Sequence, residues 1–183
     1  MMARGMGLRS VRGCIVGLLI TCASILPAWA EPPTLVVLDF DLLEDHPDPA
    51  QAADLQRRLA RVRDMFADGV AAAGVYRVIG LGAAQPVHDG YRRQIQNVHR
   101  CGYCQVEIGK AAGARLAAAG WVQKVSNLIL NINVEIRDVE ADRVVLTKSV
   151  DIRSNTDQSW ERGMRFLVRD IVERRAANPD YGQ

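Results

Sequence analysis

The sequence has 183 residues, with 23 Lys and Arg against 21 Asp and Glu, a formal net charge of +2, and 49% hydrophobic residues. Three of those arginines, Arg4, Arg9 and Arg12, stand in the first thirty residues, and without them the balance is 20 against 21. A near-neutral chain lacks the basic face that nucleic acid or an anionic membrane surface requires, so neither is expected as a partner.

The chain opens as a targeting segment: a basic start, an apolar run from Cys14 to Ile25, and Ala28-Trp29-Ala30, the pattern of an A-x-A cleavage site. That run is shorter than the roughly 20 residues a membrane-spanning helix needs, and no second apolar stretch follows. Lipidation would use Cys22, but the preceding Thr21 is an awkward neighbour for it and the A-x-A site competes. The expectation is a cleaved signal peptide over residues 1–30 and a single periplasmic domain over 31–183, beginning at Glu31. Of the four cysteines only Cys101 and Cys104 remain in that domain. In an oxidising compartment a lone pair is most simply a disulfide.

Leu35 to Phe40 is a nearly continuous run of β-formers and reads as a buried strand, followed by an acidic loop, DLLEDHPDP. Asp48-Pro49 is a helix start. Leu55, Leu59, Val62, Met65/Phe66 and Val70 then recur at three- and four-residue steps up to Gly74, an amphipathic helix. Tyr76 to Ile79 is a second short strand, closed by Gly80-Leu81-Gly82 and Pro86. From Tyr91 to Ala112 the pattern is polar and helical, interrupted by Cys101-Gly102-Tyr103-Cys104 and ended by Gly113.

In the next stretch Trp121 to Val125 forms a strand and Ser126-Asn127 a turn. Leu128, Leu130, Ile132, Val134 and Ile136 alternate with mostly polar residues, and Val144, Leu146, Val150 and Ile152 repeat the alternation after Glu140-Ala141-Asp142. These are antiparallel strands with one buried face. A last helix has Asn155 or Thr156 as its cap, Trp160, Met164, Leu167, Val168 and Ile171 on one face, and Pro179 beyond its end. The expected fold is α/β (α+β): about five strands in a mixed sheet ending in an antiparallel meander, covered by three or so helices.

LVVLDFDLLEDHPDP, GARLAAAGWVQKVSNLILNINVEIRDVEADRVVLTKSVDIR and NTDQSWERG resemble an uncharacterised family of exported proteobacterial proteins, a domain of unknown function. The layout is also similar to the amino-terminal domain of the translocation protein TolB and to curli-secretion-type domains, with an opening strand ending in Phe, a long helix, and a Gly-x-Val-Gln strand leading into a hairpin. Alanine propensity would make Ala114 to Ala119 helical, whereas the resemblance makes it the strand entering Gly120-Trp121, and that reading is adopted. The resemblance implies a binding or scaffold module acting on a periplasmic protein partner, without a cofactor. It also implies a neighbourhood, since some relatives accompany periplasmic quinoprotein alcohol-oxidation or other envelope systems.

Three stretches invite chemistry. The spacing of Cys101 and Cys104 is that of thiol-disulfide oxidoreductases, with Cys101 as nucleophile and Cys104 as resolving thiol. Against this alternative, the residues before Cys101 are polar and helical rather than a strand, and no proline lies between Pro86 and Pro179 to pack opposite the motif. Haem attachment is excluded by Gln105 in the place of a histidine. Zinc on Cys101, Cys104, His99 and His88 has the donor atoms but one firm Cys-x-x-Cys pair, and no metal is expected. Asp39-Phe40-Asp41 superficially matches the nucleophile strand of haloacid-dehalogenase phosphatases, but Leu43 is foreign to that motif and no Asp-Asp pair follows. Asp39, Asp41, Glu44, Asp45 and Asp48 read instead as a solvated acidic loop without a defensible calcium spacing.

The third stretch is a polar row. Asn127, Asn131, Asn133, Glu135 and Arg137, with Gln123 and Lys124 nearby, are the candidate partner-binding residues, because Asn weakens a strand unless its amide is used. Trp121 and Trp160 are expected in the core. His46, His88 and His99, all in polar contexts, are expected to be exposed.

Overall fold

The structure, a computed structural model, describes residues 31–183; the leader and Cys22 lie outside the described residues. Among the described residues no helix is long and apolar enough to cross a membrane. The chain first forms β1 (Thr34–Val37) and β2 (Asp41–Glu44). A 3-10 turn then leads into α1 (Ala52–Ala72), and β3 (Arg77–Ile79) follows. Two shorter helices come next, α2 (Gln85–Gln94) and α3 (Gly102–Ala112). The meander β4 (Leu116–Lys124), β5 (Ile129–Asp138) and β6 (Arg143–Arg153) precedes α4 (Asp157–Ala177).

The six strands form one mixed sheet in the order β3-β1-β4-β5-β6, with β2 also paired to β4. Parallel pairing joins β1 to β3 and β4, and β2 to the far end of β4 from Trp121 to Lys124. The other edge of β4 pairs antiparallel with β5, and β5 with β6. This is the expected mixed sheet with its meander, having six strands rather than about five and four α-helices over it.

The extra strand is β2, in the stretch expected to be an acidic loop. Leu42 packs on the main core, Asp41 is 2% exposed, and the Glu44 carboxylate accepts from Lys124 Nζ at 2.7 Å. Charges that read as solvated in sequence are compensated by residues far along the chain. The helical stretch after β3 also starts earlier than expected: Pro86 lies in the first turn of α2, where its missing N–H costs nothing. Helix α3 ends at Gly113, whose φ of 67° is the left-handed cap expected of glycine.

Helices α1 and α4 cover one sheet face. Leu55, Leu59, Val62, Phe66 and Val70 of α1 and Trp160, Met164, Leu167 and Ile171 of α4 bury themselves against Leu116, Ala118, Val122, Leu130, Ile132, Val134 and Ile136. Leu128 departs from the expected row, being 70% exposed in the turn. Val144 also points away. The β5–β6 pairing shifts register so that Ile136 faces Leu146 while Arg137 faces Val144, which moves Val144 to the opposite face from Leu146.

The alanine run is a strand, as the resemblance implied, and its small side chains have a packing reason. On one face a Cβ at Gly120 would fall inside the Phe40 ring, and on the other Ala119 and Ala117 meet α3 and its flanks. Gly120→Ala therefore overpacks the core and should destabilise the fold by about 1–3 kcal/mol, read from urea denaturation. The double variant Gly120→Ala/Phe40→Leu should lose less than the sum of its parts, and strict additivity would show that the two sites do not touch.

Candidate functional site

Helices α2 and α3, with the 3-10 turns before them, cover the second sheet face over β1, the first half of β4 and the adjoining end of β5, packing Cys104, Ile108, Val98 and Ala84 on Leu38 and Ala119. The residue that holds this layer down is Asp41. Its Oδ1 accepts from the Arg92 guanidinium of α2. Its Oδ2 accepts both the backbone N–H of His99, at 2.8 Å, and the Nδ1–H of the same ring, at 2.8 Å. Because a carboxylate only accepts, the proton of that second bond sits on Nδ1. The His99 ring in turn stacks on Trp121 of β4, centroids 4.6 Å apart and planes 16° from parallel.

His99 therefore is not exposed. Its side chain is 6% accessible, because a buried anion and an indole face supply what water would. His88 is likewise buried, with Nδ1 3.3 Å from Asp89 and Nε2 3.7 Å from Asp39. The Gln85 amide, followed by His88, holds the Asp89 carboxyl below its ordinary range. Asp39 also receives Arg63 of α1. Asp39 and Asp41 are thus engaged by cationic neighbours rather than lying in a solvated loop. Among the expected exposed histidines only His46 is so placed.

Cys101 and Cys104 are bonded, Cα atoms 5.2 Å apart. Cys101 caps α3, its Sγ accepting from the Cys104 N–H at 3.1 Å. Cys104 is fully buried. A bonded pair cannot serve as thiolate ligands, and among the described residues no group of three or more His, Cys, Asp or Glu is placed to hold a metal ion.

Beyond α3 the second face is open. Its floor is Gln123 of β4, Asn131, Asn133 and Glu135 of β5, and Thr147, Ser149 and Asp151 of β6, which the pairing sets side by side. Trp121, opposite Asn133, is half-buried at its border rather than in the core, whereas Trp160 is a core residue. The Asn131 amide is already used: Nδ2 donates to Asp151 at 2.7 Å and Oδ1 accepts from Ser149 at 3.0 Å.

The expected row is not a single surface. Arg137 is pinned under the start of α3, its guanidinium 2.9 Å from where a Gly102 Cβ would stand, and bridges Glu135 at 3.5 Å and Asp142 at 2.9 Å. Asn127 belongs to the β4–β5 turn, where its carbonyl accepts from the Asn155 N–H at 2.8 Å and so ties the turn to the start of α4. Lys124 points to the other face and its pair with Glu44. Tyr103, in the first turn of α3, is 66% exposed. The Asp41 clamp had no motif to announce it; its one signal was an aspartate at a strand position between Phe40 and Leu42.

A family model, DUF3280, described as a protein of unknown function (DUF2380), matches residues 33–172. The chain belongs to that family. No curated protein matches the sequence. Among solved structures, the DUF3280 chain is similar to E. coli LpoB, with a TM-score of 0.50 and 7% identity over 84% of each chain. It is also similar to lipoprotein GNA1162 from Neisseria meningitidis, with a TM-score of 0.48, 16% identity, and coverage of 80% and 98%. TolB from Acinetobacter baumannii matches at 0.45 and 8% identity, over 81% of this chain and 29% of that one. At 7% identity the likeness to LpoB speaks for the fold alone.

Removing the Asp41 carboxylate leaves the His99 backbone N–H, its buried imidazole and a half-buried guanidinium without their acceptor. Asp41→Ala should cost about 3 kcal/mol or more, and Asp41→Asn, which keeps one acceptor, less. Chemical denaturation measures both. A loss under about 0.5 kcal/mol for the alanine variant would show that the clamp does not hold the layer.

Proposed function

We propose that this DUF3280 protein is an exported, non-catalytic accessory protein of the periplasm that captures a protein partner on the open polar face of β4, β5 and β6. The observation that supports the reading is the unequal covering of the sheet. One face is sealed by α1 and α4. The other is covered over β1, the first half of β4 and the adjoining end of β5, and then left open over a row of amides, hydroxyls and carboxylates. Such a face, with the half-buried Trp121 at its border, fits the polar and aromatic make-up of non-obligate protein interfaces. Export is supported by the leader pattern and by the bonded cysteine pair.

The oxidoreductase alternative gains nothing from the geometry. Cys104 is buried, Cys101 is half-buried, and His99, two residues before it, is already committed to Asp41.

The test uses the exported protein in living cells. A photo-crosslinking side chain placed at Ser149 or Gln123 should give a discrete adduct with one protein, and the same group at Arg61 on α1 should not. Asn133→Ala with Gln123→Arg should remove the adduct from Ser149 while the melting temperature stays within about a degree or two, as surface changes usually do. Adducts of equal strength at Arg61, or none at the polar face, would reject the site. Turnover in an insulin-reduction assay, lost on Cys101→Ser, would reject the non-catalytic reading.

A further inference from the structure

Strand β6 is the last in the sheet, and among the described residues nothing pairs with its outer side. An edge of eleven residues presents a row of backbone donors and acceptors that a further strand could use. Where β6 runs beside α4 the two leave a groove of about 490 Å³, lined by Val150, Ile152, Arg153, Arg162, Gly163 and Phe166. The groove exists because α4 approaches closely at Gly163, where a Cβ would overlap the Ile152 side chain. Phe166, one turn on, is consequently left standing at the wall, 49% exposed.

The charges around this groove are one-sided. Arg165 and Arg174 of the same helix pair with Glu161 and Asp170, and Lys148 of β6 pairs with Asp170. Arg153 and Arg162 are exposed and make no ion pair among the described residues. Arg169 lies over the Phe166 ring at 5.3 Å and has only Glu173, at 3.9 Å, as an ionic neighbour. Asp151, the acidic residue on the lip, has its Oδ1 taken by Asn131. An apolar floor, an unpaired sheet edge and uncompensated guanidinium groups select an extended segment that alternates apolar and acidic side chains.

We propose that β6 and the Phe166 groove form a second docking site, which takes an acidic, extended segment of a partner protein as a seventh strand. The apolar side chains of that segment would enter the groove beside Phe166, its carboxylates would meet Arg153 and Arg162, and its backbone would complete the β6 ladder. This site adjoins the polar face at Asp151, and it does not depend on what that face binds.

The probe is a fluorescein-labelled eight-residue peptide alternating Val and Asp, followed by anisotropy with the intact mature protein. Three comparisons decide the case. The same peptide with Lys for Asp should bind at least about tenfold more weakly, and N-methylation of alternate amides in one of the two registers should abolish binding. Arg153→Glu with Arg162→Glu should weaken the acidic peptide by roughly tenfold, the combined worth of two exposed charge contacts, and Phe166→Asp should weaken it similarly. Asn133→Ala with Gln123→Arg should leave it unchanged, which separates this site from the polar face. Equal binding of the lysine peptide, or of both N-methylated registers, would overturn the proposal. So would failure of the peptide to bind together with a dimer in sedimentation that Phe166→Asp dissolves, since the occupant would then be a second copy of this chain.

Discussion

A carboxylate buried away from water must be met by donors, or it will not be buried at all. Asp41 obeys this with donors from two separate parts of the chain. It sits on β2, takes the Arg92 guanidinium from α2, and accepts two bonds from His99 in the turn before α3. The His99 ring then lies flat on Trp121. One charge thereby fixes how far the α2–α3 layer extends across the sheet, and so where the covered half of the second face ends and the open half begins.

The disulfide stands beside this clamp, and magnitudes decide which of the two positions the layer. Closing a loop between Cys101 and Cys104, three residues apart, should contribute less than the roughly 3 kcal/mol estimated for a 15-residue loop. Breaking a buried ion pair costs about 3–5 kcal/mol. The cysteine bond shapes the first turn of α3; the carboxylate docks that helix. On the open floor Asn131 bonds across to Asp151 and Ser149 of β6.

Much of the fold was legible because its determinants are local. The period of two in LILNINVEIR and the three- and four-residue spacing in both long helices survive in the burial of Ile132, Val134, Leu59 and Met164. What failed had non-local causes. Leu128 was assigned to the buried row because period alone cannot say where a turn takes over, and Val144 because the register shift beside Ile136 is invisible in sequence. Asp41 and His99 read as solvated because their partners lie 51 and 58 residues away from Asp41. For the candidate site, Asn131, Asn133 and Glu135 were found by alternation, whereas Arg137 and Asn127, equally polar, turned out to be engaged by Gly102 and Asn155. Polarity on a strand marks a face, and only the packing of neighbouring elements shows how much of it is free.

The account depends on the clamp, and one backbone amide reports on it. His99 lies in a short turn between helices, and its N–H has the Asp41 carboxylate as its acceptor. Native-state hydrogen exchange of the intact domain should find this amide opening only with a free energy close to that of global unfolding, while the amides of the β4–β5 turn around Leu128 exchange as exposed loop. Exchange of the His99 amide at an exposed-loop rate would contradict the account, because the layer bordering the candidate site would then be held by something other than Asp41.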